Sequence, residues 1–299
     1  MPLRSLLVLV AGCCVVLPCA RGAASSSTPS FAKARIEWNA PQKPFRIYGS
    51  TWYVGPHGLS AILVDTGKGL ALFDGDLPES APQIEAHLRE LGFRVRDIKW
   101  IFNSHAHADH AGGIAALQQA SGAQVLASAE SAGELEAGGT WPADPQYGFG
   151  LTYTPVKRVR VVRDGEILHL GDVAITAHYT PGHTPGSTSW TWTSCEAARC
   201  LRIAYVDSLT ALAAPGYRFS DHPSYVVAFH RSIATAAALP CDVLLTPHPG
   251  ASDFWEKIAR RKSPGDVAPL VDAGACRTYA ADAGQVLDAQ LARERTTAK

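Results

Sequence analysis

Residues 103–113 read Asn-Ser-His-Ala-His-Ala-Asp-His-Ala-Gly-Gly. Four metal-capable side chains fall within six positions: His105, His107, Asp109 and His110. Imidazole and carboxylate are preferred zinc ligands, and this density is not that of an ordinary polar loop. Just upstream, 98–102 (Ile-Lys-Trp-Ile-Phe) reads as a short buried strand. Just downstream, 114–120 reads as a helix. The four residues therefore lie on a strand-to-helix turn. Side chains alternate with period two in extended backbone, so His105 and His107 point the same way. Asp109 and His110 fall where the helix begins. Such a turn can aim two imidazoles at one ion and an Asp–His pair at another.

The rest of the chain is read outward from this turn. Strands are expected at 45–48, 51–54, 60–65 and 69–74, an antiparallel β start. A helix with apolar spacing follows at 80–91, and a strand at 124–127 after the helix that follows the turn. Residues 129–138 suit a short helix, and 139–155 an irregular loop with several aromatics. A second β-rich run covers 158–162, 166–170, 173–179, 187–193 and 201–206. Helices are expected at 223–238, 252–262 and 276–295, with a strand at 243–246. Residues 25–40 are rich in Ser and Ala and are expected to be irregular. The order β, α/β, β, α predicts an α/β protein of two sheets packed face to face with helices outside. The chain has 299 residues, and no linker is long enough to split it. One domain over 25–299 is expected, with its core at about 43–265 and a final helix to about 295.

The N-terminus carries targeting features. Arg4 precedes an apolar run over 6–17, and Gly22-Ala23-Ala24 offers a cleavage site after Ala24. A signal peptide at 1–24 and soluble export are the preferred reading. Val10-Ala11-Gly12-Cys13 also fits a bacterial lipoprotein site with Cys13 lipidated. The run is too short for an ordinary membrane span. Basic and acidic residues balance at 27 each, which gives no general attraction to nucleic acid. Of seven cysteines, Cys195, Cys200, Cys241 and Cys276 remain after cleavage. An even count in an exported chain suggests disulfides, with three possible pairings. The preferred one joins Cys195 to Cys200 across a short loop and leaves Cys241–Cys276. No C-x-x-C spacing favours a cysteine metal site.

Two further histidines sit at expected strand ends beside Pro and Gly: His183 in Thr-Pro-Gly-His-Thr-Pro-Gly and His248 in Thr-Pro-His-Pro. His105, His107, Asp109, His110, His183 and His248, in this order, resemble the metallo-β-lactamase superfamily over roughly 43–265. That resemblance implies a four-layer αβ/βα sandwich, two mixed sheets with helices on their outer faces, around a metal pair. The superfamily also holds thioesterases, lactonases, phosphodiesterases and sulfatases. Finer features resemble subclass B3 metallo-β-lactamases. Ala-Tyr-Val-Asp-Ser-Leu-Thr at 204–210 has a serine where other subclasses carry a cysteine ligand. Residues 51–55, 181–186, 189–192 and 246–249 fit this branch too, as does the Cys241–Cys276 bridge.

The ligand set implied is two Zn2+ per chain. His105, His107 and His183 bind the first, and Asp109, His110 and His248 the second. The activity implied is hydrolysis of the β-lactam amide of penicillins, cephalosporins and carbapenems by a zinc-bound hydroxide, with Asp109 orienting the nucleophile. A periplasmic, monomeric enzyme conferring antibiotic resistance is expected. Ser208 and Thr210 are candidates to hold the substrate carboxylate. Asp74 resembles a buried aspartate that orients ligands, and Trp52, Gln146 and Tyr147 are candidates to wall the pocket. His57, His87, His169, His178, His222 and His230 match no motif and read as surface or structural. No Gly-x-Ser-x-Gly motif occurs to support a serine nucleophile. A glyoxalase-II-like thioesterase or a lactonase is the alternative, and it would place Asp207 at both metals. A third reading is a zinc-binding protein without catalysis.

Overall fold

The structure is a computed structural model that describes residues 31–297. The expected leader at 1–24, with Cys13, lies outside the described residues. The first half runs α1 (Phe31–Trp38), β1 (Phe45–Tyr48), β2 (Thr51–Tyr53), β3 (Ile62–Asp65), β4 (Leu70–Phe73), α2 (Ala81–Glu90) and β5 (Ile98–Phe102). It continues through α3 (Ala108–Ala111), α4 (Ile114–Ser121), β6 (Gln124–Ala127), α5 (Ala129–Glu136) and β7 (Arg160–Val161). The second half runs β8 (Ile167–Leu170), β9 (Val173–Tyr179), β10 (Thr188–Glu196), β11 (Arg199–Tyr205), α6 (Pro223–Ala238) and β12 (Val243–Leu245). It ends with α7 (Phe254–Ala259) and α8 (Ala275–Thr297).

Strands β1 to β7 form one sheet in chain order, and β12-β11-β10-β9-β8 form the other. Both are mixed. In the first, β1 to β4 pair antiparallel and β4 to β7 parallel. In the second, β12 alone runs parallel to its neighbour. Alternation divides each strand between two layers. Ile62, Val64 and Phe73 face Trp190, Trp192 and Tyr205 between the sheets. Leu63, Leu72 and Ile101 turn outward under α2 and α4, meeting Ile84, Leu88 and Leu117. On the far side, Ala204, Val206 and Leu244 pack under α6 and α8 against Phe229 and Leu287. Strand side chains that turn inward are thus buried between the sheets or under the helices, which is the αβ/βα sandwich expected.

Both expected disulfides are present. Cys195 and Cys200 face each other across β10 and β11. Cys241, just before β12, joins Cys276 in α8.

Three local expectations are corrected. The segment before residue 40 contains helix α1. It buries no residue fully, so it carries no strong apolar pattern. It is held from outside. Arg35 pairs bidentately with Glu79 at 3.0 and 2.6 Å, and Gly58 N donates to Trp38 O at 3.0 Å. A Cβ at Gly58 would lie 2.5 Å from Trp38 Cα, so this close approach requires glycine. The helix expected at 252–262 shrinks to α7, because Asp253 adopts φ 51, a left-handed conformation that interrupts it. The strand expected at 158–162 shrinks to β7, with Arg158 at φ 54 just before it.

Candidate metal centre

The turn after β5 lies between the two sheets at one end of the sandwich. Thr188 N donates to Ser104 O at 2.8 Å, and Trp190 Nε1 donates to Asn103 O at 3.1 Å. The second sheet therefore fixes the backbone that carries His105. Asp74, at the end of β4, completes the clamp. It accepts from Ser104 N at 2.8 Å, Ser104 Oγ at 2.7 Å and Tyr205 Oη at 2.7 Å. Burial pushes its carboxyl up to about 6, against the pull of His110 and these donors. Asp74 thus acts on the backbone beside His105, with no contact to a ring among its hydrogen bonds. Gly113 closes the turn against 75–78, where a Cβ would lie 2.2 Å from Gly75 O.

His105, His107 and His183 converge, with one ring nitrogen of each within 4.8 Å of the others. Which nitrogen faces inward follows from what holds the other. His105 Nδ1 lies 2.7 Å from Asp207 Oδ1. His107 Nε2 lies 2.8 Å from Asp144 Oδ2. His183 Nδ1 lies 2.9 Å from both the carbonyl and the hydroxyl of Thr210. The inward set is therefore His105 Nε2, His107 Nδ1 and His183 Nε2. His105 Nε2 is buried without a partner. Burial, reinforced by neighbouring imidazoles, pushes His183 down to about 3 and His105 well below its ordinary value. Both are neutral, the form in which imidazole ligates a metal.

Asp109, His110 and His248 form a second triad. His110 Nε2 and His248 Nε2 are 3.2 Å apart, and each lies 3.3 Å from Asp109 Oδ2. Ligand atoms about 2.0–2.1 Å from a tetrahedral zinc are separated by about 3.3–3.4 Å. The donor set and its spacing fit a metal ion. Burial alone would raise the Asp109 carboxyl, but His110 and His248 hold it well below the usual carboxylate range.

Both triads open into one pocket of about 250 Å³, lined by Asp109, His183, His248, Ser208, Thr210 and Gln146 among others. Tyr147 lines it too, as do Phe31 and Trp38 of α1. No lysine or arginine is among its described lining residues. Trp52 is not there: it packs edge-on against Phe93 at 5.7 Å, under Arg46. Asp207 lies behind His105, on the side away from the inward nitrogen, while its neighbour Ser208 lines the pocket.

Sequence reading missed Asp144 and Glu134. Asp144 sits in the irregular stretch after α5 and carries no spacing signal. Glu134, on the buried side of α5, is pushed up to about 9 by burial and by Asp144. It stays neutral, which leaves Asp144 to carry the charge facing His107. Of the histidines without a motif, His87 Nδ1 donates to Val54 O (2.8 Å) and His57 stacks on Trp255, both structural contacts.

A sandwich of this topology with a His-x-His-x-Asp-His turn defines a metal-dependent hydrolase class, and a family model described as the metallo-beta-lactamase superfamily matches residues 54–198. The chain belongs to that superfamily. Its similar solved structures place it beside the subclass B3 metallo-β-lactamases. MEM-A1, a subclass B3 metallo-β-lactamase from a soil metagenome library, is 48% identical with TM-score 0.84, covering 87% of this chain and 99% of that one. MIM-1 from Novosphingobium pentaromativorans is 44% identical with TM-score 0.83, covering 88% and 94%. Among curated relatives, a probable metallo-hydrolase of Burkholderia pseudomallei is 29% identical over 61% of this chain and 65% of its own length. A hydroxyacylglutathione hydrolase of Anaeromyxobacter dehalogenans is 35% identical over 44% and 40%. The chain matches less than two thirds of the length of either curated relative.

Proposed function

We infer that this chain is a metallo-β-lactamase, a hydrolase of the β-lactam amide bond. The observation that carries the reading is the meeting of two triads of metal-ligating atoms in one pocket. Relatives of 39–48% identity that bear the β-lactamase name are matched over nearly their whole length. The site is read as binding two zinc ions. His105, His107 and His183 would hold the first, and Asp109, His110 and His248 the second. When bound, zinc supplies Lewis acidity: it polarises a carbonyl and brings the pKa of a water toward about 7.

The chain's own residues then have separable tasks. Asp207, Asp144 and Thr210 fix the three rings of the first triad through their outer nitrogens, which sets tautomer and orientation. Asp109, held ionised, would both ligate the second ion and orient an attacking oxygen. Among the described lining residues no lysine or arginine is placed for a substrate carboxylate. Ser208 and Thr210 are lining hydroxyls that would receive it, Thr210 beside His183 of the first triad. Thr210 already faces His183 through its hydroxyl, so Ser208 is the freer donor. Ser208→Ala should raise KM about two- to tenfold, the worth of one hydrogen bond, with kcat kept. Loss of metal instead would place Ser208 among the ligands. Carbapenems are included in the proposed substrates; the signal-like sequence at 1–24 supports export to the periplasm, and a monomer of one domain is proposed.

The hydroxyacylglutathione hydrolase relatives favour a second reading, thioester hydrolysis. It needs Asp207 between the metals, and Asp207 instead takes the outer nitrogen of His105. The test is hydrolysis of a penicillin and a carbapenem, with and without chelator, beside a glutathione thioester. Chelator-sensitive loss of the β-lactams alone supports the proposal. Turnover of the thioester with inert β-lactams transfers the chain to the second reading.

A further inference from the structure

His105, His107 and His183 each have their outer nitrogen held by a protein group. His110 does not. Its Nδ1 is buried and finds no hydrogen-bond partner in the protein. Both carboxylate oxygens of Asp76 are in the same condition, in a residue with no exposed surface. Buried polar groups are rarely left unpaired, because each forfeits its hydration without return. Here a lone donor and a double acceptor belong to the same pair of turns. Gly75 N donates to His110 O at 2.9 Å, and Gly113 N to Asp76 O at 3.0 Å. The turn after β4 and the turn carrying His110 are thus laced together by backbone bonds made by these two residues and their neighbours.

The placement of Asp76 is not incidental. Its backbone adopts φ 54, a left-handed conformation that opposes L-residues with a Cβ. A Cβ at Gly55 would lie 3.0 Å from Asp76 Oδ2, so the glycine leaves the carboxylate its space. An internal water makes about three hydrogen bonds, typically to groups the protein leaves unsatisfied. One donor and two acceptor oxygens meet that number.

We propose that Asp76 is a positioning residue for His110, holding its Nδ1–H through one internal water. The water accepts from Nδ1–H and donates to the carboxylate oxygens. The second triad would then have, at one remove, the carboxylate support that Asp207 and Asp144 give the first. This rests on the reading of His110 as a ligand of the second ion.

The test is competition for zinc between the full chain and a chromophoric chelator. It compares the unsubstituted chain with Asp76→Leu, Asp76→Asn and His110→Ala, and follows thermal unfolding of each metal-free form alongside. Asp76→Leu should weaken one of the two ions about 10- to 100-fold, the usual cost of losing a ligand's outer partner. The other ion should be unaffected. Asp76→Asn keeps an acceptor oxygen and should recover part of the loss. The His110 Nδ1–H resonance of the zinc-loaded chain should exchange faster with solvent in both variants. Unchanged affinities in Asp76→Leu, or equal weakening of both ions with a lowered melting temperature, would overturn the proposal. Should Asp76→Leu not fold, Asp76→Asn and the His110 exchange rate decide. If His110→Ala still binds two ions, the ligand reading itself fails. If it loses one while Asp76→Leu binds both normally, only the role of Asp76 fails.

Discussion

The two triads differ in what stands behind them. In the first, every ring is gripped from the rear: His105 by Asp207, His107 by Asp144, His183 by Thr210. His105 and Asp207 are completely buried. In the second, no ring nitrogen outside the triad meets a protein group directly among the described contacts. His248 is 32% exposed, and its other neighbour is the Trp38 ring at 5.4 Å, carried on the externally held helix α1. Chemically similar side chains are thus preorganised to different degrees. A gripped ring loses little freedom on meeting a metal, and an ungripped one must be ordered by it. The first triad should bind its ion more tightly, and the second should empty first.

The largest effect should come from His183→Ala. It removes a ligand of the gripped triad and should reduce β-lactam turnover beyond the roughly 10–100-fold that loss of an outer partner costs. Metal analysis should find the first ion lost, and full occupancy with normal turnover would break the comparison at its root. Next come Asp207→Ala and Asp144→Ala. Each should weaken the first ion about 10–100-fold while leaving the second, as read by chelator competition. If they loosen the second ion instead, the assignment of rear support is reversed. The smallest effect should come from Trp38→Ala. An aromatic contact is worth about 0.5–1.5 kcal/mol, so the second ion should weaken by roughly two- to tenfold with the first unchanged. An equal change in both would mean that α1 acts on the whole pocket rather than on His248.

Much of this arrangement is legible in the sequence, and the limit has a physical cause. His105 to His110 crowd into one turn, and a local pattern is enough to find them. His183 and His248 sit between Pro and Gly, where rigid turns advertise themselves. The sheets were legible because their strands alternate or run apolar, and the cysteine pairs because four cysteines, an even number, follow the expected leader. Asp144 and Glu134 left no signal, since a carboxylate that reaches a ligand from another part of the chain has no spacing to betray it. Asp207 shows a different limit. The period-two rule says that adjacent residues face opposite sides, and with Ser208 lining the pocket Asp207 does turn away from it. The rule says nothing of what Asp207 then meets, and its place behind His105 left no signal. Helix α1 was missed because it buries nothing fully and is held by Arg35, Glu79 and Gly58 rather than by an apolar stripe.

The most direct test of the central claim is β-lactam hydrolysis followed while the metal-free chain is titrated with zinc. Two ions should bind per chain, the first more tightly, and full hydrolysis should require both. A single binding step, or hydrolysis that is complete without metal, would contradict it.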